Sequence, residues 1–198
     1  LFDGLGFCLS ENGDLLSQWR GYADDGRGLA IGFSSEYLEA LSEARRARDE
    51  TSFNLRKVIY DASLQTKVAH DHFQKLRPLL DQGAFKSPLG TLLTPVTESQ
   101  KVEIKKTTEI AYLVVLQAVL QMFEIKNPAF AEELEWRLIS FSVKQHADQS
   151  TRYRACRDKV VPYIEIPLED LGVTPISTVV LGPRHVTPPH VLEHLFSS

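Results

Sequence analysis

Residues able to do chemistry cluster in two places. In AEELEWRLI, Glu133 and Glu135 take alternate positions at the start of an apolar run, and Arg137 follows two residues later. In a strand, residues i and i+2 share a face, so E-x-E presents two carboxylates together. Such a pair can stabilise a developing cation and take a proton from an incoming nucleophile. The competing reading is a strand-edge ion pair between Glu135 and Arg137, worth little when exposed. The second cluster is SENGDLLSQWRGYADDGRGLAIGF, Ser10 to Phe33. Trp19 and Tyr22 fall on one helical face there. Either both are core, or Tyr22 is the wall of a slot for a flat ring. The next strand alternates Leu29, Ile31 and Phe33 with Gly28, Ala30 and Gly32. A face with nothing larger than a methyl group admits another backbone or a ligand closely.

Other candidates are weaker. RYRACRDK places Arg152, Arg154, Arg157 and Lys159 around Tyr153 and Cys156. This is either a solvated strand edge protected by charge or a clamp for phosphate or nucleic acid, because alternate arginines repeat a bidentate donor. Cys156 has basic neighbours but no assignable base. HVLEH, His190 to His194, spells the inverted zinc-peptidase pattern H-x-x-E-H. A third ligand normally lies well downstream, and only four residues follow His194. His70 and His72, at i and i+2, do not face each other on a helix, and His146 and His185 are isolated. No metal site is expected.

The elements that must position these groups follow from pattern. A chain of 198 residues with 43% hydrophobic and 24% charged residues reads as one ordinary globular domain. A net charge of -4 excludes a whole-surface affinity for nucleic acid. Two cysteines suit a reducing cytosol, and no membrane span or signal peptide is visible, so a cytoplasmic protein is expected. The chain starts at Leu1 and its single methionine is Met122, so the domain is expected to be N-terminally incomplete. LGFCLS reads as a strand. Asp14 is placed to cap a short helix bearing Leu15, Leu16, Trp19 and Tyr22, and ADDGRG is a turn before the strand GLAIGF. A helix opens at Ser35, NLRKVIY is a strand, and a helix runs from Ala62 to Leu80. After the loop GAFKSPLGTLLTP comes a long helix from about Thr97 to Ile125. Its second half is apolar nearly all round, which calls for burial in the middle of the protein or against a partner. NPAFAEE is a turn. LEWRLISFSV, one or two strands in RYRACRDKVVPYIEIP, and ISTVVLGP follow, and PPHVLEHLF closes as a helix. The expectation is a single α+β domain, a mixed sheet with a helical insert at about 61–126 packed against it.

Three segments, FCLSENGDLLSQWRGYADDGRGLAIGF, NPAFAEELEWRLISF and ISTVVLGP, carry a resemblance. They resemble a widespread family of bacterial domains of unknown function. Its members share a Ser-Glu…Leu-x-x-Trp-x-x-Tyr…Gly-x-x-Ile-x-Phe block, a Glu-x-Glu-Trp/Tyr-Arg block and a closing Ile-x-x-Val-x-Leu-Gly-Pro strand. That layout is distantly similar to the ADP-ribosyltransferase fold. The resemblance implies that Glu135 contacts the ribose of NAD and that Glu133 orients the acceptor. It also implies that Tyr22 packs on the nicotinamide ring beside Gly28 and Ala30, and that Ser10 is the strand serine. NAD would then be a substrate, with no cofactor held tightly. The alternative is a non-catalytic binding module in bacterial defence or regulation, docking a protein partner through 110–125. On the catalytic reading, the isosteric change Glu135→Gln is expected to leave stability nearly unchanged and to abolish NAD turnover.

Overall fold

The computed structural model describes residues 2–87, 89, 95–143 and 151–197. Within these the chain is α+β, the class its element order implies. The described strands form three small antiparallel sheets in place of one mixed sheet. In the first, β1 (Phe2–Ser10) and β3 (Asn54–Lys57) flank β4 (Glu135–Val143). The second pairs β2 (Leu29–Phe33) with β7 (Ile176–Leu181), and the third is the hairpin β5 (Thr151–Cys156)–β6 (Lys159–Ile164). The strand read as NLRKVIY stops at Lys57, and Ile59 beyond it makes one isolated parallel bridge to Ile125.

The chain divides into two compact units, Leu1–Lys57 with Glu132–Ser198, and Val58–Ala131. The first unit is built on α2 (Ser35–Ala47), which opens at Ser35 as expected and takes Ser34 as its N-cap. The Tyr37 amide donates to the Ser34 Oγ at 3.2 Å, satisfying one orphan amide of the first turn. Tyr37, Leu38 and Leu41 recur at helical spacing and are buried with Phe53, while Leu9, Phe33 and Leu138 pack against them. Each such side chain contributes about 1.5–3 kcal/mol on burial. The register pairs Leu9 with Trp136 and Phe7 with Leu138. Directly opposed residues share a face, so Leu9 and Leu138 meet the core together. Glu135, Arg137 and Ile139 therefore lie on the other face, with Ser10, Cys8 and Gly6 opposite them. The buried Tyr37 hydroxyl donates to the Glu169 carbonyl at 2.9 Å and accepts from its amide at 2.7 Å. The Glu169 carboxylate pairs with Arg45 and Arg48, which ties the segment after β6 to the end of α2.

The second unit is a helical hairpin of α3 (Ala62–Asp81) and α4 (Glu98–Met122). Ile59 sits beside Ile125 at one end, and the Phe85 amide donates to the Thr108 hydroxyl at the other, so the helices run antiparallel. Thr97 and Gln100 close a capping box on α4. The apolar second half of α4 is not uniformly buried: Ala111 is 0% exposed, but Tyr112 is 61% and Leu113 60% exposed. Two helices cannot cover an apolar surface that runs round one of them.

Asp61 is the N-cap of α3. The Ser63 hydroxyl and the Leu64 amide donate to its carboxylate and hold its pKa below the ordinary value. A lowered carboxyl pKa means that the cap is fully formed above the unfolded-state value and is lost as pH falls through the folded one. Protection of the Leu64 amide, its exchange rate relative to that of the unstructured chain at the same pH, should therefore fall on acidification in the wild type. In Asp61→Asn, whose amide oxygen caps at any pH, that loss of protection should be absent.

Candidate functional site: a cleft between an aromatic helix and the small-residue strand

The short helix α1 (Leu16–Tyr22) begins after Leu15, which occupies the N-cap position with no side-chain cap. Asp14 does something else. Its Oδ1 accepts from the Trp19 indole Nε1 at 2.7 Å. The Trp19 side chain is 4% exposed, and a buried indole donor needs a partner more than an exposed helix end needs a cap. Tyr22, one turn on, is 80% exposed. Trp19 is thus packing, and Tyr22 stands at a rim.

The return to β2 uses left-handed backbone at Asp24 (φ 48), Asp25 (φ 54) and Gly26 (φ 83). Aspartate tolerates that region better than most residues. Across the turn, the Gly182 amide donates to the Gly28 carbonyl at 3.0 Å. A Cβ at Gly182 would run into the Gly26 carbonyl, so the turn and the end of β7 approach as bare backbone.

Packing accounts for two of the three small residues, Gly28 just before β2 and Gly32 within it. A Cβ on Gly32 would stand 2.5 Å from Thr178 Cγ2, and one on Gly28 would stand 3.2 Å from the Ala23 Cβ. Ala30 is left facing a cleft of about 410 Å³, lined among others by Ser10, Gln18, Tyr22, Gly32 and Thr178. That volume falls within the range of ordinary small-molecule sites. Sequence reasoning had not singled out Gln18, Ser177 or Thr178. The spacing of Gln18 to Tyr22, i to i+4, is the signal that could have found the first. The other two depend on the β2–β7 pairing across some 145 residues, which no local pattern shows.

Of the residues expected at a site, Ser10, Tyr22 and Ala30 come together in this cleft. Gly28 lies just before β2 and is not part of the lining. Glu133 and Glu135 do not line the cleft either. Ser10 nonetheless links the two clusters: it forms part of the cleft wall, its hydroxyl donates to the Glu133 carbonyl at 2.8 Å, and it pairs directly with Glu135 in the β1–β4 register. The Glu135 side chain is buried, and both of its oxygens accept from Arg137, Oε1 from Nε at 2.7 Å and Oε2 from NH2 at 3.3 Å. The ion pair read from the sequence is present, but in the interior, where partner geometry and desolvation count for much more than at an edge.

Two residues of the basic hairpin, Arg152 and Arg154, are engaged in internal pairs. Arg152 bonds Glu165 at 2.6 Å, and the Arg154 guanidinium lies 5.8 Å from the centre of the Tyr163 ring. Both partners of the ion pair are more than half exposed. Glu165→Gln should therefore change the unfolding free energy in urea by less than about 1 kcal/mol. Cys8 and Cys156 are exposed and form no disulfide. Among the described residues no group of three or more His, Cys, Asp or Glu is placed to hold a metal ion. His146 lies outside the described residues, as does part of the loop read at GAFKSPLGTLLTP. No described helix is long and apolar enough to cross a membrane.

No curated protein and no solved structure matches the chain. The profile of one family does match, over residues 18–138, a span that holds most of α1, the small-residue strand and the E-x-E-W-R segment. The chain belongs to the family described as protein of unknown function (DUF2971).

Proposed function

We propose that the cleft binds the nicotinamide end of NAD and that the protein breaks the bond between nicotinamide and ribose. The observation that carries this reading is the double position of Ser10, in the wall of the cleft and directly opposite Glu135. A ring resting on Tyr22 and the methyl of Ala30 would turn its ribose toward Ser10, and so toward the mouth of the E-x-E strand. The scissile bond joins the ribose anomeric carbon to the ring nitrogen. As it breaks, the electron pair leaves with neutral nicotinamide and positive charge develops on the ribose. The Glu135 carboxylate, paired with Arg137, would stabilise that charge. Water, or the hydroxyl of an acceptor, then bonds to the anomeric carbon and gives up its proton, which Glu133 would receive. With water as acceptor, the products are ADP-ribose, nicotinamide and one proton.

A second reading has its own support. The Glu135 carboxylate is engaged by Arg137 and lies off the cleft lining, while α4 leaves Tyr112 and Leu113 in solvent. Both facts suit a non-catalytic module that binds a ligand in the cleft and a protein partner on α4. Release of nicotinamide from NAD by the full chain separates the two. The catalytic reading expects turnover in the wild type and loss of at least about a hundredfold in Glu135→Gln, the scale set by removing one preorganised electrostatic group. Saturable NAD binding without turnover leaves the binding module.

A further inference from the structure

The geometry points to Gln18 as the residue that sets the specificity of the cleft, its side-chain amide reading a carboxamide, or the amide-like edge of a base, on a flat ring laid against Tyr22. This rests on the reading that the heteroaromatic end of a nucleotide enters the cleft.

Gln18 and Tyr22 stand one turn apart on α1, side by side on its surface, while Trp19 turns inward. Gln18 is half-buried and lines the cleft. Most other polar groups in the lining are committed elsewhere. The Ser10 hydroxyl donates to the Glu133 carbonyl and accepts from the Asn12 amide, the Asn12 Oδ1 accepts from the Asp14 amide, and the Ser177 hydroxyl donates to the Gly32 carbonyl. The Glu11 carboxylate is taken by Lys57. The Gln18 amide makes no hydrogen bond among the described residues. The Thr178 hydroxyl opposite is similarly unengaged, but it is exposed and offers one donor to Gln18's two.

A glutamine amide carries an acceptor oxygen and two donor hydrogens on one planar group. Its complement is a planar group with a donor beside an acceptor, the pattern by which such amides pair with base edges. A carboxylate on the ring would satisfy the donors and oppose the oxygen. An ammonium would do the reverse. A ring carboxamide satisfies both and brings no charge into the cleft.

The test is calorimetric titration with NAD and with its 3-acetylpyridine analogue, in which the carboxamide NH2 is replaced by CH3 with no change in charge and little in size. The wild type should bind NAD about tenfold more tightly than the analogue, the scale of one lost hydrogen bond in a half-open site. Gln18→Leu should bring the ratio of the two affinities to near one. Gln18→Glu should keep the preference, since its carboxylate still accepts from the amide N–H. Thermal unfolding of both variants should match the wild type. A ratio near one in the wild type, or a preference that survives in Gln18→Leu, overturns the inference while leaving NAD binding in place. Failure of both dinucleotides to bind the wild type overturns the inference together with the reading beneath it.

Discussion

Trp19→Ala is expected to cost about 3–5 kcal/mol of unfolding free energy, the range for deleting a large buried aromatic. The site can collapse little, because α1 is short and is followed at once by the turn at Asp24–Gly26, whose backbone is fixed by its positive φ values. The substitution also strips Asp14 of the indole donor at 2.7 Å. The reverse deletion isolates that bond. Asp14→Ala leaves the indole N–H without its partner in a poorly hydrated place and should cost about 1–3 kcal/mol. The double variant should lose less than the sum of the two singles, since both remove the same interaction. Urea unfolding of the four proteins measures all three terms. A loss below about 1 kcal/mol for Trp19→Ala would place the indole outside the packed interior.

Arg137→Leu is expected to cost a similar amount, about 3–5 kcal/mol, because it removes the close partner of a buried carboxylate. Glu135→Gln should cost less, about 1–3 kcal/mol. The glutamine keeps the shape and one acceptor, but it returns no charge to a guanidinium that is itself only 19% exposed. The isosteric argument from sequence missed this term: shape is conserved and charge is not. Equal losses for the two variants would show that packing, not the ion pair, governs this part of the sheet. For the turnover assay, the stability shift means that Glu135→Gln must be compared with the wild type well below its own melting temperature.

Local pattern carried most of the element boundaries. The spacing of Tyr37, Leu38 and Leu41 identified the buried face of α2, and the basic stretch from Arg152 resolved into the hairpin β5–β6. What local pattern could not carry was choice of partner. Asp14 is a good N-cap by type, yet a buried indole one turn away claims its oxygen. β1 and β2 are separated only by α1 and its turns but join different sheets, because their partners come from more than a hundred residues downstream. The small-residue strand was legible as a place of close approach. Whether a ligand or a neighbouring strand makes that approach was not. The structure divides the answer, with Gly32 against Thr178 and Ala30 against the cleft. Glu135 was legible as a charged strand residue beside Arg137, but its burial depends on contacts outside its own strand.

We propose that NAD binds in the cleft between Tyr22 and Ala30. Calorimetric titration of NAD into the wild type, Tyr22→Ala and Ala30→Leu tests it most directly. Tyr22 is exposed at the rim, so its removal should leave thermal unfolding unchanged, while Ala30→Leu fills the space a ring would take. The expected result is one saturable NAD site in the wild type, with binding weakened about tenfold or more in each variant, as when stacking is lost or the slot is occupied. The absence of saturable binding to the wild type, or affinities unchanged in both variants, would contradict it.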